Sequence, residues 1–295
     1  MPAGSKETGS DERDRLSVTL VKLGGSLITD KTKPRTVEKE RLGRLAAEIA
    51  AGWSGGALLV GHGSGSFGHP EAKAAGLVGG AGGRRLDTAA DRMGIARTQA
   101  AAQALHRWIV STLVDAGVPA YSQPPSGFLV ADDGKPYGPP PEPLAEALRL
   151  GMVPVTMGDV AMDRSRGAAI VSTETGFEFL AGALPTLGIT VRRAVWLGVV
   201  PGVLDGEGRL IPRIDATNIE AARTAAGGSP AVDVTGGMEH RLVTAWRLAR
   251  VGVESLILDG REPGLLESVL RHPVLAAEGA GTLVRSNEQP WRSPP

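Results

Sequence analysis

An apolar run that empties into a glycine-rich loop constrains this chain more than any other feature. Ala57 to Val60 leads into Gly61, Gly63, Gly65 and Gly68, interleaved with His62, Ser64, Ser66 and His69. A short apolar run of this kind buries well as a strand. Glycines then let successive backbone N–H groups turn toward an anion with no Cβ in the way. The stretch reads as a phosphate-handling loop, with a plain glycine-serine turn as the alternative. A second element of the same kind lies upstream. Val18 to Leu23 suits a strand covered on both faces and delivers Lys22, Gly24, Gly25 and Ser26. Lys31, nine residues after Lys22, either returns to the same site or stands as a solvated lysine beside Lys33.

Helical and strand periods alternate along the rest of the chain. Glu38 to Gly52 reads as a helix. After the Leu77 to Arg85 stretch, a long helix from Thr88 to about Ala116 is expected, capped by Asp91 and stopped by Gly117 and Pro119. Its small face, Met93, Ala96, Ala100 and Ala104, is expected to pack on the sheet or to leave space for a ligand's apolar tail. A strand at Val118 to Ser122, a hairpin around Asp132 to Gly134 and a helix at Pro143 to Leu150 follow. Met152 to Met157 reads as a buried strand ending at Gly158 and Asp159, where open α/β sheets keep their chemistry. Ile170 and Val171 lead through Ser172, Thr173 and Glu174 into a helix reaching Leu184. Val191 to Leu197 is a strand followed by Gly198 to Gly202. A linking region then reaches Asp233, Thr235, Gly236, Gly237 and Met238. A helix (239–251), a strand (254–258), a helix (263–270) and a strand (282–285) close the chain. This alternation indicates an α/β fold, a three-layer α/β/α sandwich with a largely parallel central sheet. One unit with two lobes is expected, 16–165 and 166–286, with 1–15 and 287–295 as unstructured tails.

Composition removes several classes. The 32 basic and 32 acidic residues cancel, which gives no footprint for a nucleic-acid partner. With no cysteine there is no disulfide, thiolate zinc site or cysteine nucleophile. No run approaches the roughly 20 apolar residues of a membrane span, and the charged first fifteen residues are not a secretory signal, so cytoplasmic residence is expected. Residues 63–68, GSGSFG, formally match a dinucleotide fingerprint. A strand, a Lys-Gly-Gly loop and a helix precede them, however, and Pro70 follows, against the order of a Rossmann domain.

Four stretches taken together point elsewhere. VKLGGSLITDK at 21–31, VGHGSGSFGHPEAKAAGL at 60–77, Gly158-Asp159, and DVTGGM at 233–238 resemble, in that order, the amino acid kinase superfamily. Within it, GSFGHP resembles the isopentenyl phosphate kinases, with the fosfomycin kinases as neighbouring relatives. The resemblance implies transfer of the ATP γ-phosphoryl group, with Mg²⁺, to a small alkyl monophosphate such as isopentenyl phosphate. It implies that Lys22 and the Gly24 and Gly25 amides hold the phosphoryl group in flight and that Lys31 bridges the two phosphates. Gly63, Gly65, Ser66 and Gly68 would cradle the acceptor phosphate. His69 would bind it by a charge-assisted bond, and Asp159 would orient the lysines. Superfamily relatives are often homodimers, with no interface identifiable in this sequence.

The donor half departs from the pattern. Thr173-Glu174 stands where relatives carry Gly-Asp, Gly198-Val199-Val200-Pro201-Gly202 replaces a Thr-Asp-x-Asp-Gly stretch, and Arg241 replaces a lysine. Ser26, Glu174, Gly198, Gly202, Gly237 and Arg241 are the nucleotide-side candidates, and Asp205 and Glu207 are the acids available to replace the missing ones. No metal ligands are assigned. Use of the same cradle on a prenyl phosphate without ATP, as a lyase, isomerase or cyclase, is the alternative activity, with a phosphonate kinase or a non-catalytic binder behind it.

Overall fold

Val18, Leu20, Val21 and Leu23 are all fully buried, as a largely apolar strand sandwiched between two layers requires. The computed structural model describes residues 16–78, 84–228, 237–272 and 279–286. Both expected tails, and residues 233–236 of the DVTGGM motif, lie outside them. In chain order the elements are β1 (Leu16–Leu23), α1 (Gly25–Ile28), α2 (Lys39–Gly52), β2 (Ala57–His62), α3 (Gly65–Ala74), α4 (Ala89–Asp115), β3 (Ala120–Ser122), β4 (Val130–Asp132), β5 (Lys135–Tyr137), α5 (Glu142–Arg149) and β6 (Val153–Met157). They continue as β7 (Asp159–Asp163), β8 (Gly167–Val171), α6 (Thr173–Ala183), β9 (Ile189–Gly198), β10 (Arg213–Ile214), α7 (Ile219–Gly228), α8 (Gly237–Arg250), β11 (Glu254–Asp259), α9 (Leu265–Arg271) and β12 (Gly281–Val284).

Eight strands form one sheet in the order β10-β12-β11-β9-β1-β2-β6-β3, and β5-β4-β7-β8 form a second. Within the large sheet the described pairs are parallel except β11 with β12. One face packs Trp196 and Ile257 against Leu144, Phe177, Leu180 and Leu242 of α5, α6 and α8. The other packs Val21, Val60 and Val195 against Leu27, Leu45, Ile49, Leu105 and Leu266 of α1, α2, α4 and α9. This is the expected three-layer α/β/α architecture.

Two local expectations need correction, and one hairpin adds to them. The buried stripe of α4 is Thr98, Ala101, Ala102, Leu105, Ile109 and Leu113, while Met93, Ala96, Ala100 and Ala104 are exposed. Alanine carries little directional information, and the bulky Leu105, Ile109 and Leu113 set the phase. Residues 159–171 form a β-hairpin. Asp163 builds its turn by accepting from the Ser165 and Arg166 N–H groups at 2.9 and 2.7 Å, and it also accepts from Gly134 N–H at 2.7 Å. The expected linking region contains α7, an alanine-rich helix whose Ile219 and Ala222 are buried against the core. The expected helical cap of α4 is present: the Thr88 hydroxyl accepts from Asp91 N–H at 3.1 Å, and Asp91 accepts from Thr88 N–H at 3.0 Å.

Candidate active site

Parallel pairing places the C-terminal ends of β9, β1, β2 and β6 side by side, and each ends at a glycine. The ladder continues past the strands. Gly24 N–H donates to Leu197 O at 2.9 Å, Gly63 N–H to Leu23 O at 3.0 Å, and Gly158 N–H to His62 O at 2.9 Å. The two glycine loops read separately in the sequence are therefore one structure. A Cβ on Gly25 would sit 2.6 Å from Gly65 N, and one on Gly63 would sit 2.9 Å from Gly25 N. Only glycines permit that approach, and Gly65 also takes a left-handed φ of 48° where β2 turns into α3. The loop thus runs straight into a helix that carries Pro70 in its interior, and Ser66 O, the carbonyl that the missing Pro70 N–H leaves without a helical donor, accepts from Arg35 N–H at 3.1 Å.

Thr29 ties the loops together. Its hydroxyl donates to Gly25 O at 2.7 Å and accepts from Ser66 N–H at 3.0 Å. The Ser66 amide, expected to face a phosphate, is thereby turned inward, and Ser66 is buried beside the cleft instead of lining it. Thr29→Val keeps the shape and strands a buried N–H, so it should cost about 1–3 kcal/mol in urea unfolding. An unchanged midpoint would contradict this role.

The cleft over these loops has a volume of about 1660 Å³. That exceeds the roughly 300–1,000 Å³ of a single small-molecule site and leaves room for two ligands. Lys22, Gly24, Gly25, Ser26, Lys31, Gly63, Gly65, Gly68, His69, Asp159, Glu174, Gly198, Gly202, Gly237 and Arg241 all line it. One arm is apolar, formed by Ala72, Leu77, Leu86, Ala102, Val160 and Ala168. His69, exposed on α3, and Lys31, exposed after α1, border the cleft near the glycine loop.

At the junction Lys22 forms a buried ion pair with Glu174 at the start of α6. Burial pushes the Glu174 carboxyl up, and the Lys22 ammonium together with Arg241 outweighs it, bringing the group down to about 2. The carboxylate therefore stays charged at neutral pH. The Arg241 guanidinium lies over Gly198, where a Cβ would meet Nη1 at 2.8 Å. The absence of a side chain at Gly198 leaves room for the Arg241 head group there. Asp159 is the carboxylate expected to orient the lysines, and the ion pair that Lys22 makes is with Glu174. Asp159 accepts instead from Ser126 N–H at 3.2 Å and Val160 N–H at 2.8 Å, with burial raising its pKa. Asp205 lines the cleft from its own turn, where it accepts from the Glu207 and Arg209 N–H groups, while Glu207 pairs with Arg209 and does not line it.

Sequence reasoning missed Thr29, Arg166 and the pairings of Thr173 and His62. Arg166 lines the cleft from the β7–β8 turn and pairs with Asp133 at 2.7 Å. The Thr173 hydroxyl donates to His62 O at 2.6 Å, fixing α6 to the end of β2. Position beside a loop was the only signal any of them gave. Among the described residues, no group of three or more His, Asp or Glu side chains could hold a metal ion, and no helix is long and apolar enough to cross a membrane.

His62 and His106 are buried and bonded to each other, Nε2 to Nδ1, at 2.9 Å. Burial holds His62 well below 6.5, aided by His106 and opposed by the Gly63 bond, and burial brings His106 down to about 4. The unfolded chain takes up these protons near pH 6.5 while the folded chain resists. Stability is therefore full above pH 6.5 and declines as pH falls toward 4. The expected decline is about 1.4 kcal/mol per pH unit for each histidine, roughly 3 kcal/mol at pH 4 from His106 alone. Urea unfolding at pH 7.5, 6 and 5 checks it, and a flat profile would contradict it.

The Amino acid kinase family pattern matches residues 17–259. The isopentenyl phosphate kinase of Methanocaldococcus jannaschii is 32% identical over 232 residues, 76% of this chain and 85% of that protein. The isopentenyl phosphate kinase of Methanothermobacter thermautotrophicus is 31% identical over 90% of this chain and 98% of its own. Among solved structures, an isopentenyl phosphate kinase superposes with a TM-score of 0.71 at 28% identity, covering 90% of this chain and 99% of that one. The match spans both glycine loops, the Lys22–Glu174 junction and Gly198, and with it the chain belongs to the amino acid kinase family.

Proposed function

We propose that this protein is a kinase that transfers the γ-phosphoryl group of ATP to a small alkyl monophosphate, isopentenyl phosphate first, giving isopentenyl diphosphate. The observation that carries this reading is the buried Lys22–Glu174 pair at the meeting point of two interlocked glycine loops, in a cleft large enough for donor and acceptor together. Phosphoryl transfer asks the protein mainly for positioning and for neutralisation of charge on the group in flight.

Lys22, with the Gly24 and Gly25 backbone, would hold the transferring group. The Gly63-to-Gly68 loop and His69 would hold the acceptor phosphate, Lys31 would lie between the two, and the alkyl tail would enter the apolar arm. Ser26, Gly198, Gly202, Gly237 and Arg241 line the donor side. Lys22, Glu174 and Arg241 together carry one net positive charge, suited to the anionic end of a nucleotide. Mg²⁺ would arrive on the nucleotide phosphates, the usual arrangement for that ion. The kinase relatives support this reading over a nucleotide-free activity, as does the charged cluster kept on the donor side. We place the reaction in the cytoplasm.

An acceptor profile tests it. ADP release with Mg-ATP is expected with isopentenyl phosphate and absent with isopentenol and with N-acetylglutamate. Equal turnover of the phosphate-free alcohol would contradict an acceptor site built for a phosphate.

A further inference from the structure

The glycine loop has few side chains of its own to hold it, and a glycine-rich segment loses more freedom on ordering than any other. What holds it from behind is a chain of three polar side chains running away from the cleft. His62 Nδ1 bonds to Gly63 O at 3.1 Å, His62 Nε2 to His106 Nδ1 at 2.9 Å, and His106 Nε2 to Ser122 Oγ at 2.8 Å. His62 ends β2, His106 lies mid-way along α4, and Ser122 ends β3 at the sheet edge.

One carbonyl fixes every proton in this chain. Gly63 O can only accept, so His62 Nδ1 carries the hydrogen and its Nε2 accepts. His106 Nδ1 must then donate, and His106 Nε2 accepts from the Ser122 hydroxyl. Both rings are neutral Nδ1–H tautomers. Lys22 on β1 and His106 on α4 are the ionisable groups acting on the His62 ring, and both disfavour a second proton there. Gln103, Arg107 and Asp115 border the groove beside Ser122 and His106. The His62 carbonyl is held as well, by Gly158 N–H and the Thr173 hydroxyl.

We propose that His62 and His106 are positioning residues, a neutral relay that sets the backbone of Gly63 to Gly65 and thereby the affinity for the phosphate of the acceptor. The inference rests on reading that loop as the acceptor cradle. Neither ring belongs to the reacting set, and the relay acts only through the loop.

The test is calorimetric titration of isopentenyl phosphate, without nucleotide, into wild type, His106→Leu, His106→Asn and Ser122→Ala. His106→Leu should weaken binding about tenfold, the worth of one net hydrogen bond, with ADP affinity unchanged. His106→Asn offers a donor at the Nδ1 position and should restore most of the loss. Ser122→Ala, at the exposed end, should fold normally and show a smaller loss in the same direction. ¹⁵N correlation spectra of the wild type should show both rings as Nδ1–H tautomers. Unchanged isopentenyl phosphate binding in His106→Leu, an Asn variant no better than Leu, or Nε2–H tautomers would overturn the proposal. A wild type that binds isopentenyl phosphate, responds to these variants and never transfers a phosphoryl group would leave the relay standing and remove the kinase reading. A wild type that transfers it with His106→Leu unaffected would do the reverse.

Discussion

Replacing Lys22 with methionine is expected to lower kcat for phosphoryl transfer by about 10³-fold, the upper range for removing one preorganised donor from a transition-state site. The same change leaves Glu174 buried without its main cation. Breaking such a pair costs about 3–5 kcal/mol. In the wild type, the depression of the Glu174 carboxyl from 4.5 to about 2 is present as stability above pH 4.5 and is lost as pH falls through 2. Lys22→Met removes that contribution at neutral pH and should regain part of it on acidification, as Glu174 takes up a proton. Activity and unfolding measured at pH 7.5 and pH 5 separate the two effects. A variant with full kcat would end the assignment of Lys22 to the transfer step. A variant with unchanged stability would end the assignment of Glu174 as its buried partner.

Gly25→Ala should be nearly as damaging for a different reason. The added methyl would sit 2.6 Å from Gly65 N and 2.8 Å from Gly65 Cα. Backbone meets backbone there, so no rotamer can relieve the contact and the two loops must part. Overpacking of this kind costs about 1–3 kcal/mol, and a displacement of about 1 Å between reacting groups costs about 10²-fold in rate. Gly43→Ala, inside α2 with open space around the position, is the control that should leave the rate untouched and stability unchanged or raised by about 0.5–1 kcal/mol. Equal behaviour of the two variants would show that the interlock of the loops is not what sets the site.

These two positions were not equally legible in the sequence. Gly25 is legible because it follows an apolar strand, and the same signature at residues 57–68 marks a second strand with its own cradle. The contact between the cradles was not visible, since it depends on the register that aligns Leu23 with His62. Glu174 was named for its place in the donor half, but its ion pair spans 152 residues of sequence and no local pattern encodes it. The phase of α4 failed where the chain is alanine, and it would have been recovered by weighting Leu105, Ile109 and Leu113. The β7–β8 hairpin was hidden because its turn is organised by one aspartate, Asp163, that also reaches across to Gly134. His62 sat in plain view inside the glycine loop, yet its partner His106 lies on a helix 44 residues away.

The departures on the donor side read differently once folded. Glu174 and Arg241 keep charge where the resemblance implies aspartate and lysine, and the Arg241 guanidinium lies over Gly198. Arginine spreads its charge over a planar fork that lysine lacks. A lysine at position 241 would leave the space over Gly198 only partly filled, so Arg241→Lys should raise the KM for ATP several-fold at unchanged acceptor KM. Steady-state kinetics with each substrate varied in turn checks this, and an unchanged KM for ATP would place Arg241 outside nucleotide binding.

The central claim is that one cleft brings a nucleotide and an alkyl phosphate together across Lys22. ³¹P NMR of the protein with isopentenyl phosphate, with and without Mg-ATP, tests it most directly. The monophosphate resonance should be stable without ATP, and with ATP the diphosphate and ADP resonances should grow together in equal amounts. Conversion of the monophosphate in the absence of ATP, or its persistence beside intact ATP, would contradict it.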